Sequence, residues 1–297
     1  MPVDFRQREA CPLCGTGNAA VLSDISYTDP ELRVFIESFY TGRVNVDALA
    51  HGSYRVVQCG RCDFVYQDPI LDDAGMQMLY RDWVDQERSL GKKQNAPAKL
   101  YQQYAGQLKT LSQLFDKLPS QTRVLDFGMG WGYWSRMAQA HGYDVSGFEL
   151  SPPRCEHARE MGLKVIDELA QDGDGFDFIF ANQVFEHLAD PAGVLKELCG
   201  CLNNEGILYL RVPDGRGVVK RLRGQGWSPG LDAIHPLEHI NCFTRKTLID
   251  LAAGAGMRPF NPPPRLNWGS LRGGIQREIS DRWFSTHLMF RRSPVIP

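Results

Sequence analysis

Asp126 is followed by three glycines at alternate positions in the run Val124-Leu-Asp-Phe-Gly-Met-Gly-Trp-Gly132. Gly128, Gly130 and Gly132 have no Cβ, so the backbone can approach a ligand closely and point N–H groups at it. The spacing and the acid decide which ligand. A dinucleotide fingerprint sets its third glycine three residues after the second. Here the third comes two residues after, and the carboxylate sits just before the loop. A carboxylate there repels a pyrophosphate, but it reaches an ammonium directly or through water. That is the chemistry of an amino-acid moiety. On the loop alone, a glycine-rich turn in some other α/β domain is the competing reading.

A second set of residues carries metal chemistry. Cys11-Pro-Leu-Cys14 and Cys59-Gly-Arg-Cys62 are two Cys-x-x-Cys knuckles in the first quarter of the chain. Four thiolates from two such turns match tetrahedral zinc, and the glycine beside each pair permits the tight backbone that aims N–H groups at sulfur. A disulfide is the competing reading, disfavoured in a reducing compartment. A thioredoxin-like motif accounts for one knuckle, not two. Four cysteines close the coordination shell, so the expected zinc is structural, with Cys11, Cys14, Cys59 and Cys62 as ligands. The long separation of the knuckles calls for an insertion, with a helix expected around Pro30–Tyr40. Cys155, Cys199, Cys201 and Cys242 show no paired spacing except Cys199/Cys201, which face different ways on an expected helix, and all four read as ordinary buried or half-buried cysteines.

The elements that position the acid–glycine loop follow from the pattern around it. Arg123–Phe127 reads as a short strand and Tyr133–His141 as a helix. Asp144–Glu149 reads as a second strand closing on an acid about twenty residues beyond the loop, where a carboxylate accepts hydrogen bonds from ribose hydroxyls. Ser151-Pro-Pro153 opens the next helix, with Ser151 as N-cap. Phe176–Leu188 is a buried-type strand running into a polar turn that carries Glu186-His187-Leu188 and then Asp190-Pro191, and Gly206–Pro213 is a further strand. In this order and at these intervals, the four segments resemble the class I S-adenosylmethionine-dependent methyltransferases. The resemblance covers about residues 100–260.

That resemblance implies a Rossmann-like, seven-stranded, doubly wound α/β sheet whose last strand, over Phe284–Arg292, enters antiparallel. It implies S-adenosylmethionine as cofactor. Asp126, Gly128, Gly130 and Glu149 are the expected contacts, with Gly132 packing helix on strand. Asp167 and Glu168 are expected near the adenine, and Asn182 at the methyl group. A hydroxyl or carbon-acid acceptor must lose a proton, and histidine suits that work near neutral pH. His187 follows the fourth strand, and His235 and His239 lie in Ile234-His-Pro-Leu-Glu-His-Ile-Asn-Cys-Phe-Thr244, which resembles a stretch lining the acceptor side in small-molecule members. For each histidine a structural role competes with acid–base work. Asn241 is expected to orient the acceptor.

A chain of 297 residues accommodates a domain of about 200 residues and a smaller module. The expected division is a zinc-ribbon lobe over 1–70, connecting helices over 71–120, and the cofactor-binding domain over 121–297. Leu71–Trp83 and Tyr101–Leu118 read as helices and Gly91–Pro97 as a polar loop. A net charge of −2 argues against a general nucleic-acid binder. No run of about 20 apolar residues is available to span a bilayer, and the N-terminus lacks the apolar core of a signal peptide. The protein is therefore expected to be soluble and cytoplasmic. Nothing in the sequence specifies an oligomeric state.

With a ribbon lobe beside it, the methyltransferase segment resembles enzymes that methylate sugars, often nucleotide-linked, so a small-molecule acceptor is the expected partner. Arg216, Lys220, Arg221 and Arg223 follow the fifth strand and suit phosphate binding or a solvated helix face equally. Trp131, Trp227 and Trp268 are candidates for acceptor walls, and Trp134 for the core. Sugar C-methyltransferases with a similar ribbon carry a longer C-terminal domain, a departure from the resemblance that leaves Asn261–Trp283 as the expected lid or acceptor loop. Two alternatives stay open: a methyltransferase acting on a protein or RNA through the ribbon, and a non-catalytic cofactor-binding scaffold.

Overall fold

The strand, glycine turn and helix form where the sequence sets them. In the computed structural model, which describes residues 3–169, 175–261 and 285–294, the strand is Arg123–Phe127 and the helix Tyr133–Ala140. Five strands run parallel, in the spatial order 202–211, 176–182, 123–127, 144–148, 164–166. His287–Arg292 pairs antiparallel with Leu202–Arg211, and Met257–Phe260 pairs antiparallel with His287–Arg292 to complete a seven-stranded sheet. The strand order reverses beside Arg123–Phe127. Ligands of open α/β sheets lie outside the carboxyl ends of the strands at such a reversal, and the acid–glycine loop leaves the sheet there.

Burial explains the strand sequences. Phe176–Asn182 is buried at every residue but its last, as expected of a central parallel strand covered on both faces. On one face, Val124, Phe178, Phe180, Ile207 and Tyr209 pack against Tyr104, Leu108 and Leu111 of helix Ala98–Leu111 and against Trp134 and Ala138 of helix Tyr133–Ala140. Trp134 stacks on Phe180 with ring centroids 4.0 Å apart, which makes it a core residue as its sequence position suggests.

The chain divides into two compact units: Met1–Asn95 with Phe185–Pro191 and Pro213–Thr247, and the remainder, Ala96–Val184, Ala192–Val212 and Leu248–Pro297. The contiguous division expected at residues 70 and 120 differs from this one. Asn241–Cys242 pairs with Val65–Gln67 at the edge of a four-stranded antiparallel sheet completed by Ser53–Cys59 and Ala19–Ser26. That pairing draws a late segment of the chain into the N-terminal unit, and no local pattern announces it.

Between the knuckles, Asp29 caps helix Pro30–Phe39 by accepting from the N–H groups of Glu31 and Leu32 at 3.0 and 3.1 Å. Leu32 and Ile36 of this helix are buried with Tyr27, Leu49, Tyr54 and Leu79, each such side chain contributing about 1.5–3 kcal/mol. Residues 91–94, expected as loop, continue helix Gln86–Gln94. Asp85 caps it, and Lys92 and Lys93 complement its C-terminal end, but none of its residues is buried. It therefore lacks the apolar stripe by which a helix is recognised. Helix Ala98–Leu111 is shorter than the expected Tyr101–Leu118, and Leu71–Trp83 resolves into Asp73–Met78 followed by a wider turn, Leu79–Trp83.

The expected lid, Asn261–Trp283, lies outside the described residues apart from Asn261, and Trp268 lies outside with it. Among the described residues no helix is long and apolar enough to cross a membrane.

Candidate functional site

The acid–glycine loop folds into a cradle at the carboxyl ends of the two strands 123–127 and 144–148. Gly128 and Met129 donate their N–H groups to the Phe148 carbonyl at 2.8 and 3.1 Å, which ties the loop to the neighbouring strand. The three glycines then separate by surroundings. A Cβ on Gly128 would stand 2.5 Å from Val184 Cγ2, and one on Gly132 would stand 2.6 Å from Leu163 Cδ1. A Cβ on Gly130 would meet nothing within 4 Å. All three have positive φ, at +71°, +57° and +73°. Gly128, expected at the ligand, is thus closed off by packing much as Gly132 is. Gly130 alone borders open space.

Two acids flank that space. Asp126 is buried, and its Oδ2 accepts a 2.6 Å hydrogen bond from Ser135 Oγ. Glu149 accepts from the Gly130 N–H at 2.9 Å through Oε2, and from the Leu150 and Ser151 N–H groups at 3.0 Å through Oε1. Arg154 lies 3.9 Å from the same Oε2 and its guanidinium lies over the Trp131 ring. Three backbone donors hold this carboxylate in one orientation, ready to accept hydroxyl donors. Ser151 stands at the N-cap of helix Pro152–Glu160 without a side-chain capping bond: Pro152 and Pro153 have no N–H to offer, and the Arg154 N–H goes to the Ser151 carbonyl at 3.1 Å. Asn182 closes strand 176–182, and its Oδ1 is buried without a hydrogen-bond partner. Asp167 and Glu168 follow strand 164–166 on the surface, Asp167 paired with Arg159 at 2.9 Å. The open side of Gly130, the fixed acid and the orphaned Asn182 oxygen fit a nucleoside carrying an amino-acid tail.

In the N-terminal unit, the four knuckle cysteines bring their sulfurs within 4.8 Å of one another. Cys11 Sγ lies 3.6 Å from Cys62 Sγ, and Cys14 Sγ lies 3.6 Å from Cys59 Sγ. A tetrahedral zinc with bonds of about 2.3 Å spaces its sulfurs about 3.8 Å apart, so the donor set fits that ion. The Arg61 N–H points at Cys59 Sγ at 3.4 Å, the geometry expected of a knuckle. Cys155, Cys199, Cys201 and Cys242 are all buried and unbridged.

The three histidines converge in the same unit. His187 and His239 rings lie 4.8 Å apart, and His239 and His235 rings 5.6 Å apart. His187 Nδ1 bonds the Glu238 carbonyl at 3.0 Å, and His239 Nδ1 bonds the Asp232 carbonyl at 2.5 Å. A carbonyl only accepts, so each Nδ1 carries the proton and Nε2 is the basic nitrogen. Glu186 is fully buried, with Oε1 4.0 Å from His187 Nε2. His235 differs. It is buried against Phe35 and Phe39, and its Nε2 has no hydrogen-bond partner. Burial, with His239 nearby, pushes its pKa down to about 4. It is held neutral and behaves as a core residue.

The residues that hold this cluster were not apparent in the sequence. Gln67 is fully buried and donates Nε2 to the carbonyls of His235 and His239 at 2.5 and 3.0 Å. Asn241, expected at the acceptor, is also fully buried. Its Nδ2 donates to the carbonyls of Phe185 and Leu188 at 3.0 and 2.6 Å, and its Oδ1 accepts from Arg8 at 2.9 Å. It pins the turn that carries His187. These bonds join positions 53 to 233 residues apart, a separation at which no spacing rule operates.

Other candidates find ordinary surroundings. Trp227 packs on Phe35 and Tyr54 in the N-terminal core. In the basic run, Arg216 pairs with Asp214 at 2.6 Å and Arg223 bonds Gln58 at 3.2 Å, while Lys220 and Arg221 are exposed on helix Val218–Gln225.

A family model described as "Methyltransferase domain" matches residues 98–259. The biotin biosynthesis bifunctional protein BioHC of Cellvibrio japonicus is 27% identical over 190 residues, which are 59% of this chain and 36% of that protein. The chain therefore spans little more than a third of that relative. The ubiquinone biosynthesis O-methyltransferase of Ruegeria pomeroyi is 28% identical over 193 residues, 56% of this chain and 70% of that one. Among solved structures, the plantazolicin methyltransferase BpumL, in complex with a pentazolic desmethylPZN analog and SAH, aligns with a TM-score of 0.49 at 17% identity. The alignment covers 70% of this chain and 90% of that one.

Proposed function

Because the chain belongs to the methyltransferase-domain family and is a class I S-adenosylmethionine-dependent methyltransferase, we propose that it methylates a small molecule, a sugar or nucleotide-linked sugar, with a histidine as general base. The observation that carries the base is the pair of imidazoles at His187 and His239, each anchored through Nδ1 on a backbone carbonyl. An anchored ring keeps its basic nitrogen in one direction, the preorganisation that proton transfer needs. His187 also lies five residues after Asn182 in the chain, just beyond the strand that ends at the expected methyl-bearing site. His235, buried and neutral, supports the loop in this reading.

When bound, the cofactor supplies a methyl group on a sulfonium, which leaves with the sulfur retaining the bonding electrons. The protein's share is to hold and to orient. Asp126 takes the ammonium, Glu149 the ribose hydroxyls, and Asn182 borders the methyl carbon, while Asp167 and Glu168 lie toward the adenine. An acceptor hydroxyl or carbon acid would give its proton to the Nε2 of His239 or His187. In-line displacement needs little more than alignment at about 3 Å.

Zinc at Cys11, Cys14, Cys59 and Cys62 is structural in this reading, because four thiolates fill a tetrahedral shell.

Two measurements test the proposal. Incubation with candidate sugar nucleotides and cell extract, followed by mass spectrometry, is expected to yield a product 14 Da heavier than a glycosyl compound, the mass of a methylene by elementary composition. A methylated protein or RNA as the sole product would overturn the small-molecule reading. Separately, Gly130→Val places a branched side chain in the open side of the cradle. Its cofactor binding by calorimetry is expected to be lost while the far-UV spectrum is retained. Unchanged affinity in that variant would remove the cradle assignment.

A further inference from the structure

The sheet face that packs against helices Ala98–Leu111 and Tyr133–Ala140 changes character at its upper edge. Below, Val124, Phe178, Phe180, Ile207 and Tyr209 form an apolar layer. Strand side chains alternate, so two residues further along the same rows stand Asp126, Asn182 and Arg211 on that same face. Asn182 and Arg211 are Cα partners on adjacent parallel strands, and Asp126 sits on the strand beyond. The acid and the cation are thus two strand spacings apart, roughly 10 Å between backbones, with Asn182 between them.

Their surroundings leave specific groups without partners. Arg211 Nε and Asn182 Oδ1 are both buried and make no hydrogen bond. The Gln183 N–H donates to the Arg211 carbonyl at 2.8 Å, so the backbone at this strand end is fixed. Tyr104 of helix Ala98–Leu111 lies close enough to feel both charges: burial pushes its phenol up to about 12, Asp126 adds to the rise and Arg211 opposes it. A buried guanidinium nitrogen lacking an acceptor is costly unless a ligand supplies one. No part of the methyl-transfer step proposed above uses Arg211.

We propose that Arg211 binds the carboxylate of the cofactor's amino-acid tail, while Asp126, with the Asn182 Oδ1 beside it as a second acceptor, takes its ammonium, so that one sheet face reads the zwitterion at both ends. An α-amino acid presents opposite charges on one carbon, and a receptor for it needs an anion and a cation converging from opposite sides. The row Asp126, Asn182, Arg211 has that order. A guanidinium matches a carboxylate with paired N–H donors, which a lysine cannot reproduce. The proposal rests on the cofactor assignment. It adds that the amino-acid end contributes a separable share of affinity through a residue outside the acid–glycine loop.

The test compares two ligands by calorimetry on the full chain: S-adenosylhomocysteine, which carries the tail, and 5′-methylthioadenosine, which lacks it. Arg211→Met is expected to weaken S-adenosylhomocysteine roughly 10–100-fold, the loss typical of a charge-assisted pair. 5′-Methylthioadenosine is expected to bind as in the wild type, which also reports that the variant is folded. Arg211→Lys should recover part of the loss. Equal weakening of both ligands would make Arg211 a structural residue and overturn the proposal, as would unchanged affinity for both. Failure of the wild-type protein to bind either ligand would strike the cofactor assignment itself.

Discussion

His239→Ala is expected to lower turnover at saturating acceptor by about 10²–10⁴-fold, the usual contribution of a general base. Cofactor affinity should stay unchanged, because every residue assigned to the cofactor belongs to the other unit of the chain. The loss should appear in kcat rather than in KM, since proton removal is made only in the transition state. His187→Ala is the comparison. Its ring lies 4.8 Å from that of His239, and a base shared between them would leave each single variant with residual activity. Should both variants turn over at near-normal rates, catalysis would rest on positioning, and a nitrogen acceptor already neutral at working pH would replace the sugar hydroxyl. Glu186, His187 and His239 also bring three donor atoms within 4.8 Å of one another. The assay therefore includes EDTA, with metal analysis to show that the four-cysteine site keeps its zinc. A loss of activity restored by a divalent cation under that condition would replace proton abstraction by activation of the acceptor on a metal.

Replacing a knuckle cysteine should have the largest effect on stability. One zinc is expected per chain by metal analysis, and Cys11→Ser or Cys59→Ser should abolish it and unfold the segments around both knuckles. Structural zinc contributes about 10–16 kcal/mol to the folding of zinc-finger peptides, far more than those few residues can recover by packing. The rest of the unit has its own core, with Leu32, Ile36, Leu49, Tyr54 and Leu79 all essentially inaccessible to solvent. Loss of order is therefore expected to stay near the ribbon. Hydrogen exchange should accelerate around residues 11–18 and 57–64, with amides of strand 123–127 still protected and cofactor affinity within a few-fold of wild type. Protein purified under reducing conditions that contains no zinc, yet keeps the knuckles protected, would refute the metal assignment.

The strand, glycine turn and helix were legible because their determinants are local. Positive φ at Gly128, Gly130 and Gly132 is a demand that only glycine meets without strain, and the two acids stand at the carboxyl ends of adjacent strands, Asp126 within 123–127 and Glu149 just after 144–148. Gly132 was expected to pack and Gly130 to face the ligand; that Gly128 is closed off as well was not legible. Gly128 and Gly132 are closed by Val184 and Leu163, which arrive from later in the chain, whereas Gly130 borders open space. The helix Gln86–Gln94 escaped for the opposite reason: its caps and charges suit a helix, but it buries nothing and so leaves no periodic stripe.

From residue types and spacing alone came the chemistry available to this protein: an acid and a glycine loop for an amino-acid-bearing nucleoside, four thiolates for a closed metal shell, and three histidines. Short-range sterics, strand alternation and ligand spacing act within a few residues, so they are written where they act. Tertiary structure decided which of those groups are free to work. It buried His235 against Phe35 and Phe39, and it spent Asn241 on the turn at Phe185 and Leu188. It enlisted Gln67 and Arg8 as supports, and joined Asn241–Cys242 to the N-terminal sheet. Each of those outcomes depends on which distant backbone carbonyl must find a donor once water is excluded. That requirement exists only after the chain has closed on itself.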